Sequence, residues 1–576
     1  GNSLNNFIMG NENNNVLDGS EGADAMQGGK GDDSYIVDNT GDDVKEFQDE
    51  GKDTVYSSIT YTLPDHVEDL VLTGTAAING TGNELDNYIT GNSANNTIKG
   101  LAGNDVLDGG QGADVMMGGS GDDSYTVDDK GDIVKEYGEC EHSHHHHKHH
   151  DKGHQHIYDT GGIDTVYATI SYRLPTYVEN LVLMGEEAIN GTGNELDNHL
   201  TGNSANNILE GREGDDVLDG KEGMDTMKGG EGDDSYTVDN TNDVVKEYRH
   251  DGEDTVYSTV SYTLSDHVEN LVLMGTSAIQ GFGNALNNHL TGNGAGSILN
   301  GQAGDDNYYV SQAGDIIAES AHNGWDTVLS SIDYQLEDNL EELYLTGLAN
   351  LNGTGNAKDN NLNGNSDDNI LDGGLGADWM LGGKGNDTYY VDNTGDKVEE
   401  HRNEGIDSVY SNVSYRLSSN VENLILTGLV AINGTGNELD NHLTGNNANN
   451  ILRAGCGNDS LVGGNGADLL EGQAGQDFYD LSETTPATDT VRIERGDSLI
   501  NSHDVITGFQ LGTGILNTSG IDKLDLEDNH IAHDIIKNGR DVGLIESHSI
   551  HDGIISFDNI DHYQEALAIT NDVLDD

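Results

Sequence analysis

A repeated tyrosine phrase is the feature that most constrains how this chain can fold. The phrase G-D-D-S-Y-(T/I)-V-D occurs three times and recurs three more times in altered form. Its tyrosines are Tyr35, Tyr125, Tyr236, Tyr308, Tyr389 and Tyr479. Their separations are 90, 111, 72, 81 and 90 residues, and relative to 90 two of the deviations, -18 and -9, are whole multiples of nine. The chain is therefore predicted to be built from nonapeptides.

Two consecutive segments show the nonapeptide itself. Residues 109–117 read GGQGADVMM and residues 118–126 read GGSGDDSYT, and both fit G-G-x-G-x-D-x-U-x, where U is apolar. Glycines at positions 1, 2 and 4 allow the restricted backbone of a tight turn, and the aspartate at position 6 supplies a hard oxygen ligand. The apolar residue at position 8 is predicted to point inward, so each unit is half turn and half short strand.

These segments resemble the calcium-binding repeats-in-toxin (RTX, hemolysin-type) family, and the likeness extends over most of the chain. It implies an all-β fold: a right-handed parallel β-roll, or β-solenoid, of nonapeptide repeats with a C-terminal capping domain. In such a roll two nonapeptides form one coil, and coils stack about 4.8 Å apart. Carboxylates at the same position of successive coils, two nonapeptides apart in sequence, are then expected to hold one Ca²⁺ together with turn carbonyls.

The nonapeptide frame organises the whole chain into runs and spacers. It gives 26 units in six runs, covering residues 1–36, 82–126, 193–237, 283–309, 355–390 and 436–480. The spacers have 45 residues, or five nonapeptides, except for one of 66, so they are predicted to keep the repeat in phase. We predict RTX blocks at 1–81, 82–192, 193–282, 283–354, 355–435 and 436–480, and a capping, secretion-associated region at 481–576.

Each spacer carries a stretch of alternating residues. In the first, Val55, Ser57, Ile59, Tyr61 and Leu63 recur with a period of two. Similar stretches lie at 166–174, 256–264, 328–336 and 409–417. Alternation of β-branched and aromatic residues predicts strands rather than flexible linkers.

The spacing of two nonapeptides selects the candidate calcium ligands. The Asp-Asp pairs are Asp105 with Asp123, Asp216 with Asp234, and Asp459 with Asp477. The mixed pairs are Asn96 with Asp114, Asn207 with Asp225, Asn450 with Asp468, Asn15 with Asp33, and Asn369 with Asp387. Asp24, Asp306 and Asp378 complete the predicted ligand set.

The opening units of each run depart from the motif. GNSANNTIK at 91–99 lacks the second and fourth glycines and has asparagine in place of the key aspartate. Asparagine tolerates left-handed geometry and can hydrogen-bond along a stack. These turns are therefore predicted to form neutral ladders that need no ion.

Charge supports a cation-loaded fold. The 576 residues include 104 Asp and Glu against 25 Lys and Arg, a formal charge of -79. About ten to twenty bound Ca²⁺ ions would cancel roughly a quarter to a half of it, so folding is expected to depend on calcium. The chain lacks the basic clusters that nucleic acid requires and has no apolar run long enough to span a membrane.

A histidine-rich segment at 138–161, GECEHSHHHHKHHDKGHQHIYDTG, accounts for the longer spacer. Its position predicts a surface loop that bulges from the roll. Zn²⁺, Ni²⁺ or Cu²⁺ could bind there, with Cys140 as a thiolate, and a solvated loop without a ligand is the alternative. The candidate histidines are His142, His144, His145, His146, His147, His149, His150, His154 and His156.

The ends of the chain and the absence of enzyme motifs limit the functional hypotheses. HDVITGFQLG and DKLDL, at 503–512 and 522–526, resemble the cap near a type I secretion signal of RTX proteins. Gly1 falls at position 1 of a nonapeptide, which suggests a cut precursor or an end covered by another molecule. The sequence contains no H-E-x-x-H, G-x-S-x-G or G-x-x-x-x-G-K-(S/T), so no catalytic residue is predicted.

We weigh three functions on this basis. The first is a secreted, non-enzymatic structural protein of a surface layer (S-layer), extracellular fibre or adhesin, which self-associates or binds cell-surface polysaccharide. The second is the noncatalytic part of a larger secreted polysaccharide-modifying or lipolytic enzyme. The third is extracellular transition-metal capture by the histidine loop.

Overall fold

The computed structural model describes residues 1–136, 161–493, 504–508 and 522–525, and the backbone of four short strands between 536 and 557. It forms two compact units, Gly1–Asn293 and Gly294–Asp576. All regular structure in the described residues is β-strand, which confirms the all-β prediction. Among these residues there is accordingly no helix of the length and apolarity needed to cross a membrane.

The first unit contains strands β1 to β30. In chain order they are Phe7–Met9, Val16–Asp18, Ala25–Gln27, Ser34–Val37, Asp43–Lys45, Thr54–Ser57, Tyr61–Thr62, Asp69–Leu72, Gly80–Thr81, Tyr88–Thr90, Thr97–Ala102, Val106–Asp108, Val115–Ser120, Ser124–Val127, Ile133–Val134, Thr165–Ala168, Tyr172–Arg173, Asn180–Leu183, Gly191–Thr192, His199–Thr201, Ile208–Glu213, Val217–Asp219, Thr226–Glu231, Ser235–Val238, Val244–Val245, Thr255–Ser258, Tyr262–Thr263, Asn270–Leu273, Gln280–Phe282 and His289–Thr291.

The second unit contains the described strands β31 to β58. In chain order they are Ile298–Asn300, Asn307–Val310, Ile316–Ile317, Thr327–Ser330, Tyr334–Gln335, Glu342–Leu345, Asn352–Thr354, Asn361–Asn363, Ile370–Asp372, Trp379–Leu381, Thr388–Val391, Lys397–Glu399, Ser408–Ser411, Tyr415–Arg416, Asn423–Leu426, Gly434–Thr435, His442–Thr444, Ile451–Cys456, Ser460–Val462, Leu469–Ala474, Phe478–Asp480, Thr490–Arg492, Val505–Thr507, Lys523–Asp525, Ile536–Lys537, Arg540–Asp541, His548–His551 and Ile554–Phe557.

Within a run, each coil advances the chain by 18 residues and contributes one strand to each of two parallel sheets. Thr97 pairs with Val115 between β11 and β13, and Val106 pairs with Ser124 between β12 and β14. Odd-numbered strands β7 to β15 form one sheet, while even-numbered β10, β12 and β14 belong to another. This register confirms the parallel β-solenoid predicted from two nonapeptides per coil.

The spacers are part of the solenoid, but their coils differ in length. In the first spacer Ser34 pairs with Thr54, Thr54 with Asp69, and Asp69 with Tyr88, all in parallel. These steps are 20, 15 and 19 residues, which together equal three coils of 18. The spacer therefore restores the phase by compensating long coils with one short coil.

The longer second spacer returns to the same register. Ser124 pairs with Thr165, a step of 41 residues in place of the 20 of the first spacer. The following steps are again 15 and 19 residues, from Thr165 to Asn180 and from Asn180 to His199. The prediction that the strands on both sides of the histidine segment return in phase is confirmed, and most of that segment lies outside the described residues.

Half-coil shifts also occur within the second unit. Tyr308 lies on β32, whose sheet continues through β34 and β36, whereas Tyr389 lies on β41, which pairs with β39 and β43. The two tyrosines are 81 residues apart, or 4.5 coils of 18. The tyrosine ladder therefore changes sheets between these two runs.

The core is a narrow stack of position-8 side chains. All six repeat tyrosines are at most 1% exposed. The first ladder contains Leu17, Tyr35, Val55, Leu70, Ile89, Leu107 and Tyr125, each at most 2% exposed. One or two apolar layers per coil explain how a chain with only 34% hydrophobic residues can still bury a core.

The parallel stack continues past residue 480 in the described C-terminal pieces. Phe478 pairs with Val505 between β51 and β53, and Thr490 pairs with Lys523 between β52 and β54. β58 then lies antiparallel to β54, and β57 antiparallel to β58. The antiparallel strands β57 and β58 beside β54 show that the pairing changes there from parallel to antiparallel. The extent of the predicted capping region stays a prediction.

Candidate metal centres

Asp105 shows how a position-6 aspartate sits in the coil. Its Oδ1 accepts a hydrogen bond of 2.7 Å from the Asn87 N–H, 18 residues earlier. Its own N–H donates to Asp123 Oδ1 at 2.7 Å, one coil later. The side chain is fully buried, and its Oδ2 has no hydrogen-bond partner. A buried carboxylate oxygen without a donor is costly unless a proton or a cation satisfies it.

The same arrangement recurs at the aspartates predicted from the sequence. All fourteen are at most 2% exposed. In twelve of them Oδ1 accepts an N–H from 18 residues earlier and Oδ2 has no hydrogen-bond partner. These twelve are Asp24, Asp33, Asp105, Asp114, Asp123, Asp216, Asp225, Asp234, Asp378, Asp387, Asp459 and Asp468. Asp306 and Asp477 are buried in the same way.

The first glycine of each unit makes room for the carboxylate. At Gly118, a Cβ atom would collide with Asp123 Oδ2 and with the Tyr125 hydroxyl oxygen. At Gly109 it would collide with the Asp114 carboxyl group. At Gly118 and Gly109 the close approach of the carboxylate five residues later therefore leaves no room for a side chain, whereas the unit at 454–462 has Ala454 at position 1.

Burial makes these carboxylates difficult to ionise. Burial raises the pKa of Asp105 to about 8 and that of Asp216 to about 9, against the opposing effect of one backbone N–H each. The next aspartate of the ladder, Asp123 or Asp234, adds electrostatic repulsion. The pKa of Asp459 is raised to about 7 for the same reasons, with Asp477 as the neighbour. Each pair is thus a candidate site at which a divalent cation would replace protons.

Asparagine in the same place has no unsatisfied atom. Asn96 Oδ1 accepts from the Asn92 N–H at 2.8 Å, and Asn96 Nδ2 donates to the Ile78 carbonyl at 2.5 Å. In the mixed pair, the Asn96 N–H donates to Asp114 Oδ1 at 2.6 Å. Only the aspartate of a mixed pair therefore offers a free oxygen, in agreement with the predicted neutral ladders.

The ladder also includes spacer aspartates that the nonapeptide frame did not select. The Asp33 N–H donates to Asp53 Oδ1 at 2.7 Å, and the Asp53 N–H donates to Glu68 Oε2 at 2.8 Å. The equivalent spacer aspartates are Asp164, Asp254, Asp326 and Asp407. The recurring G-x-D-(T/S)-V, as in Gly51 to Val55, was the available sequence signal.

The oxygen atoms that these residues offer are suited to calcium. All of these groups offer carboxylate oxygens, the hard ligands that Ca²⁺ prefers, and the unsatisfied oxygens are buried beside turn backbone. An ion at a turn would supply positive charge between consecutive coils. The candidate histidines, His142 to His156, lie outside the described residues, so transition-metal binding stays a prediction.

One comparison with known proteins bears on these sites. A family model, the RTX calcium-binding nonapeptide repeat (four copies), matches the chain in several places. The matches cover residues 1–35, 82–125, 192–227, 220–245, 354–389, 435–470 and 444–479. The run predicted at 283–309 lies outside them. No curated protein matches the chain.

Proposed function

Because the chain carries several copies of the RTX calcium-binding nonapeptide repeat, we propose that it is a secreted structural protein stiffened by calcium. It would serve in a surface layer, an extracellular fibre or an adhesin, and leave the cell by type I secretion. The observation that carries the proposal is the distribution of buried, unsatisfied carboxylates through both compact units. A chain that distributes its ion sites in this way is suited to mechanical strength along its length.

Calcium would act on the stacking of coils. Each carboxylate already joins two coils through Oδ1, and a cation at the remaining oxygen adds an attractive charge to a stack that is otherwise negative. The proposal assigns no catalysis to the repeats, because carboxylates at most 2% exposed are out of reach of a substrate.

Exposed aromatic residues support self-association as the second part of the proposal. Tyr56, Tyr167 and Tyr257 lie at equivalent positions in successive spacers of the first unit and are 38–40% exposed. Regularly placed aromatic side chains on a parallel sheet offer contact area at low entropic cost. We propose that a second copy of the chain packs on this face. Cell-surface polysaccharide is the alternative partner.

Electron microscopy of the native material tests this function. Samples in calcium, after chelation, and after chelation with equal ionic strength from KCl separate the ion from general screening. Ordered filaments or sheets that disappear on chelation and return with calcium are expected. Monomers that look the same in all three conditions would contradict the structural role.

A further inference from the structure

A glutamate replaces the first glycine of the next coil wherever a described run meets its spacer. In the first block Glu46 lies 18 residues after Gly28, and the Gly28 N–H donates to Glu46 Oε1 at 3.2 Å. The buried Tyr35 hydroxyl donates to the same Oε1 and accepts the Gly28 N–H at 2.6 Å. Two donors therefore hold one oxygen of Glu46 and leave the other oxygen, Oε2, directed elsewhere.

Glu46 belongs to a cluster of three carboxylates with unsatisfied oxygens. Asp33, Glu46 and Asp53 are 1%, 7% and 1% exposed. Asp33 Oδ2, Glu46 Oε2 and Asp53 Oδ2 have no hydrogen-bond partner. One carboxylate oxygen from each residue lies within 4.8 Å of the other two. The cluster is thus a compact, buried group of three carboxylates, each with one oxygen that lacks a hydrogen-bond donor.

The same cluster occurs in both units of the protein. In the second unit Asp387, Glu400 and Asp407 form it, with Glu400 5% exposed and its Oε1 accepting from the Tyr389 hydroxyl. Asp387 Oδ2 and Glu400 Oε2 have no hydrogen-bond partner. A third cluster, Asp123, Glu136 and Asp164, lies at the end of the second run. Recurrence at three of the five described run ends that carry this glutamate makes an accidental grouping of acids a poor explanation.

The charged groups that act most strongly on Glu46 and Glu400 are acidic, and among these described residues there is no positive side chain. The neighbouring charges that act on Glu46 are Asp53, Asp33 and Glu50, all negative. Around Glu400 the corresponding neighbours are Asp407, Asp387 and Glu404, which are also negative. Three carboxylates cannot all ionise in such a place without a counter-charge.

We propose that each of these three clusters binds one divalent cation, Ca²⁺ by its ligand chemistry, at the last nonapeptide turn of a run, with the glutamate and the spacer aspartate as ligands that the nonapeptide itself does not supply. The ligands are oxygen only, and two oxygens 2.3–2.6 Å from one Ca²⁺ can be no more than about 5 Å apart. A separation within 4.8 Å meets that limit for every pair in the cluster. The site would connect a run to its spacer, where the coil length changes from 18 residues to 20, or to 41 at the second run.

The tyrosine acts as a positioning residue in this proposal. In the first cluster the Tyr35 hydroxyl and the Gly28 N–H fix Glu46 Oε1, so Oε2 is presented to the ion without further ordering. In the cluster of the second run, Glu136 Oε2 also accepts the Gly119 N–H at 3.4 Å. The inference goes beyond the proposed function, because it holds whether or not the protein assembles into fibres. The alternative is a cluster that keeps shared protons and binds no ion.

Counting bound calcium in the full chain tests the proposal. The variant E46Q/E136Q/E400Q keeps an acceptor for the tyrosine and glycine donors but removes the charge. The matched control, E84Q/E195Q/E399Q, removes three exposed glutamates. Equilibrium dialysis with metal analysis is expected to show three fewer ions per chain in the first variant and an unchanged count in the control. An unchanged count in the first variant would overturn the proposal in favour of shared protons.

A second variant guards against misfolding. D53N/D164N/D407N keeps Oδ1 as the ladder acceptor, and it too is expected to bind three fewer ions. Thermal unfolding in chelator distinguishes loss of the ion from damage to the fold. The neutral side chains of this variant should not lower its unfolding midpoint when calcium is absent. A midpoint lowered equally in chelator and in calcium would overturn the proposal. The ion count and electron microscopy are independent measurements. The absence of filaments together with the expected ion counts would contradict only the proposed function, whereas filaments together with an unchanged ion count in the variants would contradict only the cluster sites.

Discussion

At the scale of single residues, the side chain at position 6 of the nonapeptide, aspartate or asparagine, decides whether a turn needs an ion. Aspartate leaves a buried oxygen without a donor, as at Asp216, whereas the Asn96 amide donates to a carbonyl and leaves nothing unsatisfied. The two residues have nearly the same shape, so their exchange changes charge and hydrogen bonding but little else. Exchanges in both directions therefore test the account.

Asp216→Asn is expected to have opposite effects with and without calcium. In chelator the change removes a buried carboxyl whose pKa burial raises to about 9, so stability should stay equal or rise by about 1–3 kcal/mol. In calcium the variant should lose the contribution of one ligand and unfold at a lower temperature. The exposed neighbour Asp215→Asn is the matched control, and equal effects of the two changes in calcium would argue against the assignment.

Gly118→Ala tests the close approach of the carboxylate. Gly118 does not have a positive φ, so the added methyl group acts by its collision with Asp123 and Tyr125, at a cost of about 1–3 kcal/mol. The control Gly74→Ala carries only backbone strain, because Gly74 has φ +78° and open space around it. Thermal unfolding should show a smaller calcium-induced rise in midpoint for Gly118→Ala alone. An equal rise in both variants would contradict the geometry.

At the scale of the coil, the opening units of a run act as neutral turns. Asn96 Nδ2 bonds to the Ile78 carbonyl at 2.5 Å, one coil earlier, which joins the spacer to the run without an ion. These units stand beside units of the same length that carry a buried aspartate at position 6. The run at 82–126 thus begins with turns held by amides and continues with turns suited to cations.

Asn96→Asp should destabilise the protein in chelator. The change replaces a donor with a carboxylate oxygen facing the Ile78 carbonyl, at a cost of about 1–3 kcal/mol. Asn95→Asp, at the exposed neighbouring position, keeps the acceptor for the Ala113 N–H and should be nearly neutral. Urea unfolding at neutral pH measures both. A neutral result for Asn96→Asp would show that the amide ladder is unimportant.

The nonapeptide pattern was sufficient to predict the strands and the buried aspartates, and the resemblance to RTX repeats supplied the coil length. The pattern could do so because glycine, aspartate and the apolar residue act locally, within one turn and the next coil. The unequal spacer coils could not be predicted, since a step of 20 residues followed by one of 15 depends on which strands pair. The role of Glu46 as a candidate ligand could not be predicted, because Asp33 and Asp53 are brought close to it only by the stacking of coils.

At the scale of the whole molecule, acidic charge and burial act against each other. The chain has a formal charge of -79, and many of its acidic groups are buried in both units. Without cations the buried groups must keep protons, and with cations they can ionise. Stability should therefore depend on pH and calcium together.

The calcium-free protein should become less stable as the pH rises from about 4 to about 8. Unfolded carboxyls ionise near pH 4, whereas burial raises native pKa values to about 6 at Asp114 and about 9 at Asp164. The native state then binds more protons than the unfolded state, so the free energy of unfolding falls with rising pH. With calcium the fall should shrink or reverse. Unfolding midpoints in chelator that are independent of pH would contradict this.

The central claim is that calcium holds the solenoid together, and circular dichroism of the full chain at pH 7.5 tests it most directly. The account predicts a β-sheet spectrum in calcium, its loss on chelation, and its recovery when calcium, but not KCl of equal ionic strength, is restored. A β-sheet spectrum that is unchanged by chelation would contradict the claim.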